Sequence, residues 1–181
     1  MTSEIIEATP ADHDPFSDGE LAAAAPLSPS MRELWLAVQL GGEPANLAYN
    51  EVVEIRFDGD LDPERLEQAL EHLLRRHEAV RSTFSPQGDF LLIQRDASVR
   101  LERSRIDAAD VEAALRDLRQ RETSTPFDLA RGPLCRFELV EIEPGRHHLF
   151  LRMHHLACDG WSFGLFMSEL ADAYRALGRG E

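Results

Sequence analysis

The 181-residue sequence contains no lysine: all 19 basic residues are arginine, set against 33 acidic residues for a net charge of −14. Without lysine there is neither a Schiff-base amine nor the lysine of a phosphate-binding P-loop. The acidic balance argues against a nucleic-acid backbone as partner. Cysteine is scarce. Cys135 and Cys158 are too few for a disulfide framework or a zinc ribbon, and they read as small core-filling thiols of a reducing compartment. The mean hydropathy is −0.32 and no apolar run is long enough for a transmembrane helix. The N-terminus, MTSEIIEATPADHD, has neither the basic nor the apolar region of a secretory signal. A cytoplasmic protein is expected, with no membrane and no nucleic acid among its partners. Internal repeats and glycine-rich phosphate loops are absent as well.

What is present falls into two parts. The first 30 residues hold six acids (Glu4, Glu7, Asp12, Asp14, Asp18, Glu20), four prolines and no basic residue. Such a segment cannot bury enough surface to order itself. Residues 1–27 are therefore expected to form a flexible acidic leader or linker, with a docking segment for a partner as the alternative. Patterned sequence begins at Ser28 and extends to the end, about the size of one domain and enough to bury a core.

Ser28-Pro29 followed by Met31, Leu34, Trp35 and Val38 predicts a capped amphipathic helix that ends at Gly41-Gly42. Asn50 to Asp58 alternates like a half-buried strand, and Asp62-Pro63 opens a second helix striped by Leu66, Leu70, Leu73 and His77. Val80–Phe84 and Asp89–Gln94 flank the turn signal Ser85-Pro86-Gln87-Gly88. A strand near Ser98–Arg105 leads to a helix from about Asp107 to Arg121, with Val111, Leu115 and Leu118 on one stripe. Strands Leu134–Ile142 and Arg146–His155 are joined by Glu143-Pro144-Gly145, and a last helix runs from Trp161 to Leu177. Elements mixed in this order predict an α/β (α+β) sandwich, a mixed β-sheet flanked by helices.

The densest chemistry lies in Met153 to Ser162, MHHLACDGWS. Side chains alternate along a strand, so His155 shares a face with Leu149, Leu151 and Met153, while His154 points with Phe150 and Arg152. Adjacent histidines on opposite faces cannot both reach one metal ion, and no HExxH helix is present; a metal site is not expected. An imidazole at a strand end can act as a general base, with Asp159 orienting it or holding the turn. By itself this pattern is more often a core histidine beside a capping aspartate.

His154-His155-x-x-x-Asp159-Gly160 resembles the HHxxxDG signature of the condensation domains of nonribosomal peptide synthetases, and of the wider chloramphenicol-acetyltransferase-like superfamily. Trp161-Ser162 fit the condensation-domain version. Arg76 to Phe84, RHEAVRSTF, resembles that family's second motif, RHExLRTxF. Ser28 to Leu36 is similar to the first, with Met31 where glutamine is usual. Asn46–Asn50, Pro126–Leu129 and Gly132-Pro133-Leu134 also fit, so the matches run in order from about residue 28 to 177.

The resemblance implies one chloramphenicol-acetyltransferase-like lobe, the N-terminal lobe of a two-lobed domain, spanning residues 28–181 with the C-terminal lobe absent. Complete domains of this kind form an amide between a donor acyl or peptidyl thioester and the amine of an acceptor aminoacyl thioester. Both substrates arrive on the 4'-phosphopantetheine arms of carrier proteins, and no cofactor is bound. The implied partners are donor and acceptor carrier proteins, the C-terminal lobe and a neighbouring adenylation domain. His155 would be the catalytic histidine, as base or as positioner, and His154 a structural one. Asp159 would fix the turn by pairing with Arg81 or, failing that, Arg76. Gly160 would leave room for the pantetheine arm. His72, His147 and His148 read as ordinary surface or strand residues, and Trp161 and Phe163 as core. The isolated lobe is expected to be inactive. The alternatives are a coenzyme A-dependent acyltransferase lobe, an epimerisation domain and a non-catalytic carrier-docking module.

Overall fold

Four helices begin at oxygen-bearing caps, and three of the four caps are aspartates. In the computed structural model, which describes residues 21–96, 99–107 and 109–180, Ser28 caps α1 (Pro29–Ala48) and Asp62 caps α2 (Pro63–Arg76). Asp110 caps α3 (Val111–Ser124) and Asp159 caps α4 (Gly160–Gly178). In each case the side-chain oxygen accepts the N–H three residues on, satisfying a donor that the helix itself cannot. Asp110, rather than Asp107, therefore marks the start of α3.

The strands are β1 (Leu21–Pro26), β2 (Asn50–Asp58), β3 (Ser82–Phe84), β4 (Phe90–Gln94), β5 (Leu101–Arg105), β6 (Cys135–Glu143) and β7 (Arg146–His154). They form two sheets, a small antiparallel one in the order β1-β4-β3 and a mixed one in the order β2-β7-β6-β5. In the mixed sheet only β5 and β6 run parallel, as expected of strands joined through a helix rather than a hairpin. The expected sandwich is present: α2 and α4 cover one face of this sheet and α3 the other.

One expectation needs correction. Residues 21–26, counted in the acidic leader, form β1, paired with β4 from Leu21↔Gln94 to Pro26↔Phe90. An alanine run has little strand propensity of its own; here the partner supplies the order. The first helix is interrupted at Gly42, where the Gly41-Gly42 signal predicts its end. Gly42 takes a left-handed φ of 62°, which kinks the chain, and helix resumes from there to Ala48. Residues 1–20 and Ser98, included in the leader and strand readings, lie outside the described residues.

The main core lies between the sheet and the α2–α4 pair. Leu66, Leu70, Leu73 and Leu74 of α2 and Phe163, Phe166 and Leu170 of α4 meet Phe137, Leu139, Leu149, Leu151 and Met153. The Phe137 and Phe166 rings stack at 5.9 Å. The opposite face is mixed. Leu115 and Leu118 of α3 cover Val140, Ile142 and Phe150, but charged groups cross beside them. Glu54 binds Arg119 at 2.6 Å and His148 at 2.6 Å, Arg121 bonds Glu138, and Arg152 lies buried over the Phe127 ring.

Candidate active site

The two histidines separate as strand alternation requires. His154, the last residue of β7, is fully buried against Tyr49 and Phe127, whose ring it meets edge-on at 6.0 Å. Its Nδ1 accepts the N–H of Leu156 at 3.2 Å, so the neutral ring carries its proton on Nε2. Burial, with the neighbouring His155 adding repulsion, pushes its pKa down to about 4. His154 is thus a neutral group that holds the turn.

His155 lies one residue beyond β7, not within it, although its N–H still bonds the Tyr49 carbonyl at 2.8 Å and extends the ladder. Its side chain is 37% exposed, and its ring lies nearly parallel to that of Tyr49, 6.3 Å away. Nδ1 is 3.0 Å from a carboxylate oxygen of Glu51. No other described residue hydrogen-bonds this ring, which leaves Nε2 to whatever approaches from solvent. Glu51 was not singled out from sequence. A signal was present, because Glu51 continues the Val53–Ile55–Phe57 row of β2 as an acid at the end of an apolar face.

The expected pairing of Asp159 with Arg81 or Arg76 does not form. Asp159 is exposed, and its Oδ1 accepts both the Ser162 N–H at 2.8 Å and the Ser162 hydroxyl at 2.6 Å. These bonds, with His155 nearby, hold its carboxyl below the usual range. A carboxylate committed to the first turn of its own helix is turned away from other partners. Arg81 instead donates to the Gln94 carbonyl and reaches Glu78 at 3.5 Å. Arg76 reaches Glu169 of α4 at 3.3 Å, and His77 lies 2.6 Å from the same carboxylate. The second motif therefore contacts the helix after the histidine motif through Glu169.

Gly160 opens α4, and a Cβ placed there would meet nothing within 4 Å, so the space beside the turn is free. Trp161, expected in the core, is 86% exposed, whereas Phe163 is buried as expected. His147 and His148 are strand residues as expected, but buried ones. Cys135 and Cys158 are free buried thiols whose pKa values burial raises to about 12 and about 11. Among the described residues no cluster of three or more His, Cys, Asp or Glu is arranged to hold a metal ion. Among the described residues no helix is long and apolar enough to cross a membrane.

This arrangement offers one solvent-facing imidazole nitrogen, beside an open helix start, on a ring fixed through its other nitrogen. Such a group can take up a proton or hold an amine. The comparisons with known proteins agree with the motif. The family model of the condensation domain matches residues 22–181. Chondramide synthase of Chondromyces crocatus is 37% identical over 86% of this chain, and surfactin synthase subunit 2 of Bacillus subtilis is 33% identical over 90%. The chain spans 4% of the length of each of these relatives. The first condensation domain of the calcium-dependent antibiotic synthetase, solved with a substrate analogue, superposes with a TM-score of 0.76 at 26% identity, covering 89% of this chain and 41% of that one. The chain belongs to the condensation-domain family of nonribosomal peptide synthetases.

Proposed function

We propose that the chain is one lobe of a condensation domain, and that the complete domain joins a donor acyl or peptidyl thioester to the amine of an acceptor aminoacyl thioester. In that reaction the amine attacks the thioester carbonyl, the C–N bond forms, and the tetrahedral intermediate expels the pantetheine thiolate. The amine proton passes to His155 Nε2 or is held there by a hydrogen bond, and ends on the departing thiolate. The observation that carries this reading is the His155 ring itself, tied by Nδ1 to Glu51 and unbonded at Nε2. Relatives named as synthases and synthetases favour it over an epimerisation domain or a coenzyme A acyltransferase.

Both substrates would ride on 4'-phosphopantetheine arms of donor and acceptor carrier proteins, with the open space at Gly160 as room for an arm. A second lobe and an adjoining adenylation domain complete the set of partners, and the free thiols suit a reducing cytoplasm. The acidic residues 1–20 would serve as a leader or linker ahead of β1. By itself the chain is expected to be inactive, because one wall cannot hold thioester and amine at attack distance. His155 stands over a third exposed, where water competes for Nε2.

The test is amide formation by the full-length parent with loaded carriers, read as the dipeptidyl thioester by mass spectrometry. His155→Ala should lower the rate by roughly 10²–10⁴-fold. A folded variant with near-normal product would rule out the assignment. Turnover by the 181-residue chain alone, lost on His155→Ala, would show that one lobe suffices.

A further inference from the structure

We infer that Glu51 is the positioning residue for His155, fixing through Nδ1 which ring nitrogen faces the substrates. The inference rests on the proposed role of His155. Three contacts from one short stretch converge on this residue. The Tyr49 carbonyl takes its N–H at 2.8 Å, the Tyr49 ring lies alongside the imidazole, and the Glu51 carboxylate meets Nδ1 at 3.0 Å.

Register explains why β2 and the residue just before it can provide all three. β2 and β7 are antiparallel with Asn50 opposite His154 and Glu51 opposite Met153. Tyr49 therefore falls opposite His155, and Glu51 lies diagonally across, on the same face. A carboxylate only accepts, so Nδ1 must carry the hydrogen, and the lone pair of the neutral ring is on Nε2. Once Nε2 takes a proton, the carboxylate balances the imidazolium. The remaining charged and titratable neighbours are Asp159 at the start of α4, the Cys158 thiol, the Tyr49 phenol and the neutral His154 on the opposite face of β7. Asp159 is bonded to Ser162 and His154 to Leu156, so among the described residues Glu51 alone hydrogen-bonds the His155 ring.

Two measurements keep this inference distinct from the catalytic assignment. The first uses the 181-residue chain and nitrogen-15 NMR of the imidazole. The expected result is a neutral His155 protonated at Nδ1, with Glu51→Gln mixing the tautomers. Glu51→Asp should keep the wild-type tautomer. A wild-type ring protonated at Nε2, or a tautomer ratio unchanged in Glu51→Gln, would overturn the inference. The second uses the full-length parent. Glu51→Gln should lower kcat by roughly tenfold, less than the 10²–10⁴-fold of losing a base outright. Full activity in Glu51→Gln, with activity lost in His155→Ala, would defeat the positioning role. An active His155→Ala parent would instead defeat the catalytic assignment, while the NMR result still decides whether the dyad exists.

Discussion

Asp159 and Ser162 are joined twice, through the backbone N–H at 2.8 Å and the hydroxyl at 2.6 Å, and both bonds end on the same carboxylate oxygen. The turn from His155 into α4 is thus closed from within, without an arginine. Asp159→Ala should lower the melting temperature of the chain by a few degrees, and Asp159→Asn, which can accept the same bonds, by less. The folded carboxyl titrates below its usual value, so its contribution is present above about pH 4 and is lost as the pH falls through the folded pKa. Melts of both variants at pH 7 check the capping account, which fails if asparagine is as damaging as alanine.

His154 should dominate the pH dependence of stability between pH 6.5 and about 4. Its folded pKa is pushed down to about 4, so the unfolded chain binds the extra proton first. Stability is then full above about 6.5 and falls as the pH drops toward 4, by up to about 3 kcal/mol. Urea titrations at a series of pH values would show this slope, and His154→Gln should flatten it. An equal slope in the variant would place the titration elsewhere.

Asn46 is buried on α1 and bonds both backbone groups of Phe127, at 2.9 Å to the carbonyl and 3.0 Å from the N–H. It works as a one-residue piece of β-ladder for a segment that has no strand partner. Asn46→Ala leaves both groups buried and unpaired, which should cost about 2–5 kcal/mol. Urea denaturation measures the loss, and a change below about 0.5 kcal/mol would mean that water replaces the amide.

Phe166 and Trp161 lie on the same helix and should respond in opposite ways. Phe166 stacks on Phe137 in the core, so Phe166→Ala should cost about 3–5 kcal/mol. Trp161 is 86% exposed, and Trp161→Ala should stay within about 0.5 kcal/mol of wild type in this chain. Chemical denaturation of the two variants separates them; a large loss for Trp161→Ala would return that ring to the core.

Elements whose signals are local could be read from sequence. Asp62-Pro63 with the leucine stripe gave α2, and Glu143-Pro144-Gly145 gave the β6–β7 turn, because caps and turns act within a few residues. β1 could not be read this way, since its order comes from β4 some seventy residues further on. The split between His154 and His155 followed from strand alternation alone. The partners of the site did not: Glu51 reaches His155 only through the β2–β7 register, and Asp159 satisfies its own helix first. Residue type predicts Trp161 in the core, but its place in the first turn of α4 turns it toward solvent.

That outward turn gives the molecule a spectroscopic label of its own. The sequence has two tryptophans. Trp35 packs into the α1 cluster above Gly88, while Trp161 stands in water on the turn it shares with His155. Emission from the first follows unfolding, and emission from the second, red-shifted and open to quenching by iodide, follows whatever settles on the start of α4. Replacing Trp35 with phenylalanine would leave one tryptophan, six residues from His155, whose blue shift times the arrival of a second lobe or a carrier without any attached dye.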